Sequence, residues 1–494
     1  MENYPKIYLY RRIVQAKLFI DKNFADPIDL DNISEEAFFS KFHFLRQFRK
    51  IYGKTPHQYL KLVRIENAMQ LLRTDLPVSD TCYAVGFESI SSFSGLFKRI
   101  VGLSRFLALF LSLICIQIGC SGQTTTVTKL DGSRISSRKI DSIVTSLMDS
   151  ANVPGLNLSI INNNQVKYIK SYGLKDLKTS AAQDTATVFP SCSFSKSVFA
   201  YLVMKLVDRQ ILDLDTPIEK YLEKPLPEYE RYVGLKNDDR WKMITPRMLL
   251  SHTAGFPNWK FLNPRGNNQV EIFFTPGSRY AYSGEGIYLL QLVVETKTRR
   301  KLDDLAKELV FIPLNMRRTG YSWRPDFEDN YSFGYSQDGK QFGRGKPNEK
   351  SADAAGSMET TISDYSRFIV AVLNGKGLSA KAKKEMLSYQ IRIYSEQQFP
   401  SLNESKTTEN NKIKLGYGLG WGLFTCKFGK AFFKEGHDEG WQHHNVNFPD
   451  KKTSIIIMTN SNNGESIFKE LLGKLIGDTY TPWKWENYYP YNYK

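Results

Sequence analysis

Apolar positions recur at helical spacing over residues 7–24 and 58–73, with Ile65, Ala68, Met69 and Leu72 on one face of the second stretch. Around these lie two short helix-turn-helix patterns. In one, Leu30-Asp-Asn-Ile-Ser-Glu-Glu-Ala passes through Phe38-Phe39-Ser40 into KFHFLRQFRKIYGKTPHQYL. In the other, Val78-Ser-Asp-Thr-Cys-Tyr-Ala-Val-Gly86-Phe passes into ESISSFSGLFKRIVGLS. The pattern changes after about residue 120. Gly155-Leu-Asn-Leu-Ser-Ile-Ile, the turn Asn162-Asn-Asn and Gln165-Val-Lys-Tyr-Ile-Lys-Ser-Tyr predict strand, turn and strand, and Thr453-Ser-Ile-Ile-Ile-Met-Thr-Asn predicts another buried strand. Residues 301–309, 363–374 and 464–476 have helical spacing. An all-α first part is therefore expected, followed by an α/β part in which distant segments assemble an antiparallel sheet covered by helices.

Between the parts stands FLALFLSLICIQI, Phe106 to Ile118, with Lys98, Arg99 and Arg105 before it and Gly119-Cys120-Ser121-Gly122 after it. The run is shorter than the ~20 residues a spanning helix needs and suits the apolar core of a signal peptide. Gly119-Cys120 resembles a bacterial lipoprotein cleavage box, with Gln117 where leucine is usual, which makes Cys120 the candidate lipidation site. The polar QTTTVTKLDGS that follows has the character of a tether. A buried core helix is the alternative reading of the run. The expected organisation is a helix-turn-helix domain at 1–104, a hydrophobic signal segment at 105–122, a linker and first helix at 123–150, an α/β domain at 151–480 and a tail at 481–494.

Composition narrows the classes. A hydrophobic share of 41% with 13% aromatics excludes disorder as the main state. The net charge of +16 is not concentrated. The first 105 residues hold 16 Lys and Arg against 11 Asp and Glu, and the remainder 51 against 40, so charge alone selects no partner. Cysteines at 82, 115, 120, 192 and 426 form no CxxC pair and no metal-ligand spacing. No metal and no cofactor is expected.

The stretch from Phe44 to Leu72, FxxxFRKxxGKTPHQYLxxxRIENAMQLL, and the later VGFESISSFSGLFKRIVGLS resemble the AraC/XylS-type DNA-binding domain, two helix-turn-helix units joined by a long helix. The resemblance covers nearly all of residues 10–104. It implies double-stranded DNA as the partner of residues 1–104, with Lys41, His43, Arg46 and Gln47 facing DNA from the first recognition helix and Glu88, Ser89, Ser91 and Ser92 from the second. Solvated faces are the alternative for each residue. Phe42, Phe44, Phe48, Phe93 and Phe97 are expected in the core. After Gly102-Leu-Ser the proline and closing helix of that family are replaced by the apolar run.

The second part contains FPSCSFSKSVFAYLVMKLVDRQILDLDTPIEKYL, in which Ser193 and Lys196 stand three apart at the start of an apolar helix. That spacing puts both on one face, where a lysine in a dry pocket can take the proton of the hydroxyl. Cys192, four residues from Lys196, is a rival nucleophile on spacing alone. ITPRMLLSHTAGFP (Ile244 to Pro257), PGSRYAYSGEGIYLLQ (Pro276 to Gln291), DAAGSMETTISDYSRFI (Asp353 to Ile369) and GYGLGWGL (Gly416 to Leu423) follow in order. Together with the Ser193 segment they resemble the serine β-lactamase and penicillin-binding fold, on its class C, D-aminopeptidase and esterase branch, over about Gly155 to Asn460.

The resemblance implies an α/β β-lactamase/transpeptidase-like fold with a helical subdomain. It implies Ser193 as nucleophile, Lys196 as its base partner and Tyr282 as the tyrosine exchanging a proton with nucleophile and leaving group. Tyr282-Ser283-Gly284 departs from the usual Tyr-x-Asn, which removes an amide contact and shifts the expectation toward esters. His437-Asp438-Glu439-Gly440 is expected at the Lys-Thr-Gly position. His437 is then a catalytic residue or a loop histidine, and an amide near Glu439 or Gly440 completes an oxyanion hole with that of Ser193. If its carboxylate faces the pocket, Glu439 opposes an anionic substrate. His252 is expected to support the fold.

Three readings stand at this point. The chain is a hydrolase acting on a small-molecule or cell-wall peptide or ester substrate; or a regulator whose second half senses a ligand; or two adjacent genes joined into one. If the apolar run is a signal, the hydrolase is periplasmic or membrane-anchored, through 106–118 or a lipidated Cys120, while the DNA-binding domain is cytoplasmic.

Overall fold

The computed structural model describes residues 4–72, 77–101, 125–342 and 352–492. Its contacts divide the chain into two units, Met1–Gln123 and Thr124–Lys494. The apolar run 106–118, Cys115 and Cys120 lie outside the described residues. Among the described residues no helix is long and apolar enough to cross a membrane.

The first unit is helical: α1 (Tyr4–Lys22), α2 (Leu30–Glu36), α3 (Lys41–Tyr52), α4 (Pro56–Leu71), α5 (Val78–Ala84) and α6 (Ile90–Val101). Asp29 starts α2 by accepting from the Asp31 and Asn32 amides, while Asn32 returns a bond to the Asp29 amide. Two cores form. Ile13, Ile20, Ile33, Phe44, Phe48 and Leu60 make the first; Ile65, Ala68, Cys82, Val85, Phe93 and Phe97 make the second. Helix α4 contributes to both, so it is the joint between the two helix-turn-helix halves. Arg64 fastens it by donating to Phe24 O at 2.7 Å and Asp26 O at 2.8 Å. One expectation fails: Phe42 is 88% exposed. Phe44 and Phe48, four apart, define the inner face of α3, and two residues upstream of Phe44 the helix has turned by about 200°.

In the second unit a short hairpin of β1 (Thr126–Thr128) and β2 (Arg134–Ser136) leads into α7 (Ser137–Ala151), capped by Ser136. Strands β3 (Gly155–Asn162) and β4 (Gln165–Asp176) follow, joined through Asn163 and Asn164, both left-handed at φ 52° and 58°. Asparagine tolerates that conformation and gives the tight hairpin expected of the sequence, with Asn162 still in the strand. Then come β5 (Ala181–Ala182), β6 (Val188–Pro190), α8 (Phe194–Asp208), α9 (Pro246–Leu250), α10 (Gly284–Thr298) and α11 (Leu302–Ala306). The chain continues through β7 (Glu359–Thr361), α12 (Ile362–Asn374), α13 (Ala380–Met386), β8 (Ile391–Arg392), β9 (Gly416–Tyr417), β10 (Gly422–Cys426), β11 (Gly429–Asp438), β12 (Trp441–Phe448), β13 (Thr453–Thr459) and α14 (Phe468–Leu475).

The main sheet is antiparallel, in the order β5-β4-β3-β13-β12-β11-β10-β9-β8. The late strand β13 pairs with the early strand β3, which places the two ends of the domain side by side. Each sheet face carries a core. Val198, Leu202, Phe368 and Ile456 belong to one, and Leu158, Val144, Ile457 and Leu471 to the other. With both faces covered, β3 and β13 are buried along their whole length, so Ile455 to Met458 of β13 is a continuous apolar run, while β3 buries Asn157 and Ser159 between its apolar residues. The expected helix 464–476 begins as a tight turn at Glu465–Ile467 before α14. Residues after 480, expected as a tail, are built into the domain, because Trp483 and Trp485 are buried in the second core.

Candidate active site

Ser193 stands where β6 turns into α8. Ser191 donates its amide and its hydroxyl to Met358 O, and Cys192 adopts φ +50°, which aims the next residue at the start of the helix. Helix α8 is buried from Phe194 to Met204, all round and not on one stripe, so its position is fixed by packing on every side. One turn in, Lys196 is 1% exposed and donates to Ser193 Oγ at 3.0 Å and to Ala355 O at 2.5 Å. The rings of Tyr282 and Trp259 lie 5.2 and 5.6 Å from the ammonium. Cys192 is turned away. Its thiol contacts Pro190 O at 3.5 Å, and burial pushes its pKa well above the ordinary thiol value, so it is the poorer nucleophile.

Tyr282 is delivered by the extended segment before α10. Ser283 caps that helix, accepting from the Gly286 amide at 3.0 Å while donating to Pro257 O at 2.8 Å. His252, in the left-handed region at φ +55°, accepts from the Ser283 amide through Nδ1 at 3.2 Å, and its ring lies 4.4 Å from that of Tyr282. Burial first, then the charges of Lys196 and Lys434, pull its pKa well below the ordinary histidine value, so the ring is neutral and supports the tyrosine. For Tyr282 burial acts upward, but Lys196 and Lys434 outweigh it and hold the phenol below the ordinary tyrosine value. Glu285, on the first turn of α10, is fixed by Arg231 through bonds of 2.8 and 3.0 Å.

Opposite Ser193 runs β11, and here the sequence expectation is corrected. The segment facing Ser193 is Lys434-Glu435-Gly436, not His437 to Gly440. A Cβ on Gly436 would lie 3.0 Å from Ser191 O and 3.4 Å from Ser193 N, so only glycine permits the strand to approach this closely. Glu439 and Gly440 form the turn of the β11–β12 hairpin, closed by the pair Asp438 and Trp441. Their amides are engaged, with Asp438 Oδ1 at 2.9 Å and Asn462 Oδ1 at 2.7 Å. The His437 ring lies on the other face, with Nε2 3.6 Å from Glu465 Oε1. Strand β10 covers β11 only as far as Phe433. Because the hairpin-closing pair bonds to each other, alternation turns the amides of Glu435 and His437 toward the uncovered edge.

Lys434, Gln398 and Trp259 escaped the sequence reading. Lys434 is fully buried, 4.9 Å from the Tyr282 ring centroid and 3.5 Å from Glu435 Oε1, with no hydrogen bond to any described group. Its only signal was the K-x-G spacing on an alternating strand. Gln398 donates to Glu435 Oε1 at 2.6 Å. Among the described residues no cluster of His, Cys, Asp or Glu could hold a metal ion.

In the first unit the eight residues expected to face DNA lie on or beside α3 and α6. Arg46 is exposed on α3, on the same side as Phe42, whereas Lys41 pairs with Asp31 and the His43 ring packs 5.1 Å from Phe39. Gln47 is half-buried. Ser89 caps α6, its hydroxyl meeting the Ser92 amide at 3.3 Å and Ser92 Oγ at 2.9 Å, so this side chain is committed to the helix. Glu88, Ser91 and Ser92 are exposed and border a groove of about 810 Å³ shared with His57, Lys61 and Arg64 of α4.

A helix-covered antiparallel sheet, with a serine, a lysine and a tyrosine converging where a buried helix starts, defines the serine hydrolases of the β-lactamase and penicillin-binding fold. The chain belongs to the β-lactamase family, whose model matches residues 140–474, and residues 33–104 match a helix-turn-helix domain of AraC type. It is similar to penicillin-binding protein 4* of Bacillus subtilis (strain 168), 24% identical over 326 residues, 60% of this chain and 65% of that protein. It is also similar to protein flp of Staphylococcus aureus (strain MRSA252), 23% identical over 253 residues, 48% of this chain and 49% of that protein. The chain thus spans between about half and two thirds of these relatives. Two solved structures share the fold. The octameric penicillin-binding protein homologue from Pyrococcus abyssi has TM-score 0.56 and 21% identity, covering 70% of this chain and 79% of that one. D-alanine carboxypeptidase AmpC from Burkholderia cenocepacia has TM-score 0.54 and 19% identity, covering 68% and 98%.

The buried carboxylate of Glu435 yields a pH prediction. Burial would raise its pKa, but Lys434 and the Gln398 amide overcome that and hold it at about 2. A depressed carboxyl stabilises the fold above its unfolded pKa, and that contribution is lost as pH falls through the folded one. On urea unfolding at pH 6, 4 and 3, the stability advantage of the wild type over Glu435→Gln is expected to shrink with falling pH, by about 2 kcal/mol at pH 3.

Proposed function

We propose that the second unit transfers the acyl group of an ester or amide first to Ser193 and then to water. The observation that carries this is the 3.0 Å bond from Lys196 to Ser193 Oγ beside a tyrosine of lowered pKa. Ser193 Oγ attacks the carbonyl carbon, and its proton passes into the Lys196 and Tyr282 pair. Tyr282 then protonates the leaving group, and water repeats the cycle on the acyl-enzyme. The carbonyl oxygen seats between the amides of Ser193 and His437. The first starts α8, where helix geometry leaves amides without intrahelical acceptors. The second lies on the uncovered edge of β11. Such donors each contribute about 3 to 4 kcal/mol to the transition state. The names of the relatives point to penicillins and D-alanyl peptides as substrates, and Gly284 points to esters.

The convergence of all three groups favours this reading over a domain kept only to sense a ligand, and labelling by a serine-reactive probe separates the two. Ser193→Ala is expected to melt like the wild type and to lose labelling by a fluorophosphonate or penicillin probe. Lys196→Ala is expected to label on the order of 10³-fold more slowly or worse, because groups acting as a unit fail together. Normal labelling of folded Ser193→Ala refutes the assignment.

For the first unit we propose sequence-specific binding of double-stranded DNA, with α3 and the start of α6 in two major-groove sites about one helical turn apart. The exposed Arg46 supports this. Titration of residues 1–104 against random-sequence duplexes at two salt concentrations should show affinity falling steeply with salt. Arg46→Ala should weaken binding and, if Arg46 meets a base edge, relax one position by roughly 1 to 3 kcal/mol. A folded fragment with no salt-dependent binding ends this reading.

For location we propose export of the hydrolase through 106–118, with lipidation at Cys120 and a cytoplasmic DNA-binding unit, a reading supported by the sequence pattern alone. A denaturing gel of the natural product, probed at both ends, should show a membrane-fraction species carrying only the C-terminal epitope. A single soluble band carrying both epitopes contradicts it.

A further inference from the structure

The third position of Tyr282-Ser283-Gly284 has no side chain, and the room beside it is filled from another segment. A Cβ on Gly284 would lie 2.3 Å from Trp259 Cζ3 and 2.4 Å from Cη2. The indole is placed there by its neighbours. Asn258 Oδ1 accepts from the Gly284 amide at 3.0 Å, Pro257 O accepts from Ser283 Oγ at 2.8 Å, and the Lys260 amide donates to Glu285 Oε1 at 2.9 Å. Pro257, Asn258 and Lys260, on both sides of Trp259, are thereby stitched to Ser283, Gly284 and Glu285 at the α10 start. Tyr288 packs with its ring centroid 5.6 Å from that of the indole.

Trp259 also stands at the chemistry. The Lys196 ammonium is 5.6 Å from its ring centroid and 3.0 Å from Ser193 Oγ, so the indole borders the space an acyl group enters on Ser193. It offers that space an apolar ring face, where the resemblance led one to expect an amide. A substrate with an acylamino group next to its carbonyl would have to place that amide against the ring without a partner, and an unpaired buried amide is costly.

We propose that Trp259 is the specificity-determining residue of the site, a steric gate that restricts substrates to carboxylic esters with short, unsubstituted acyl groups. The proposal rests on the hydrolase reading. In the reaction, the Ser193 Oγ to acyl-carbon bond forms as the ester C–O bond breaks, and the alcohol leaves with a proton. Water then breaks the acyl-serine bond, giving the carboxylic acid and restoring the hydroxyl. Trp259 takes no proton. It sets the length and substitution of the acyl group that fits.

The test is kcat/KM of the full chain on nitrophenyl acetate, butyrate and octanoate and on a chromogenic cephalosporin. The variants are Trp259→Ala, Trp259→Phe and Trp259→Ala combined with Gly284→Asn. Wild type should fall steadily from acetate to octanoate. Trp259→Ala should raise the octanoate-to-acetate ratio at least tenfold, with Trp259→Phe between the two. The double variant, with room for an amide side chain, should gain on the cephalosporin relative to Trp259→Ala. Melting curves and stoichiometric fluorophosphonate labelling identify folded protein. A flat or rising chain-length profile in labelled wild type, or an unchanged ratio in either labelled single variant, overturns the gate. Wild type whose Ser193 does not label overturns the hydrolase reading beneath it.

Discussion

The ammonium of Lys196 is buried, and the second unit is arranged around the need to keep it so. A cation withdrawn from water must find hydrogen-bond acceptors or polarisable faces at once, or the fold cannot hold it. Here the acceptors are Ser193 Oγ and Ala355 O, from segments 162 residues apart, and the faces are those of Tyr282 and Trp259. A second buried ammonium, Lys434, approaches the same phenol from the sheet. Two cations around one tyrosine favour its ionised form against the pull of burial. Burial, reinforced by the same two charges, keeps His252 neutral, so the ring that braces Tyr282 does not compete with it for a proton.

This electrostatic arrangement depends on a close approach of backbone to backbone. Helix α8 brings the Ser193 amide against β11, and the contact is possible because Gly436 carries no side chain. The helix is pinned from behind as well, since Ser197 Oγ donates to Gly420 O at 3.0 Å and Tyr321 Oη donates to Ser195 O at 2.7 Å. With β10 starting only at Gly422 beside Phe433, the part of β11 facing Ser193 keeps its edge open. Ser193, Lys196 and Tyr282 converge at the rim of the sheet, and their placement comes from the packed core behind them.

Much of this was legible in the residues. The i to i+3 spacing of Ser193 and Lys196 and the apolar run of α8 located the helix and the pair on it, and the apolar run Ile455 to Met458 within Thr453–Thr459 marked a buried strand. What escaped depended on register or on contacts between distant segments. The histidine in Gly436-His437 drew the strand motif three residues too far along. Its correct place is fixed by the Asp438 and Trp441 pair, and the two-residue period of side-chain alternation decides which side chains face Ser193. Trp259 lies 25 residues before Gly284, and nothing local announces that one fills the space left by the other. Phe42 was misplaced for a simpler reason: five phenylalanines in two short helices cannot all share the inner face, and composition does not say which one is left outside.

The C-terminal segment shows how far the site's electrostatics extend. Glu435, which compensates Lys434, is held by the Gln398 side chain, and the backbone amide of Gln398 donates to Trp485 O at 2.8 Å. The adjacent Phe399 lies with its ring centroid 5.5 Å from that of Tyr282, and Asn487 receives and returns bonds with its backbone at 3.4 Å. Next along, Glu486 is buried with its Oε2 3.1 Å from His444 Nε2 on β12. The segment expected to trail away thus braces Gln398 and Phe399 beside the tyrosine, because an ion pair in the interior needs its remaining acceptors satisfied by groups that cannot drift. The aromatic residues of the last fifteen positions supply the apolar anchorage that keeps those groups in place.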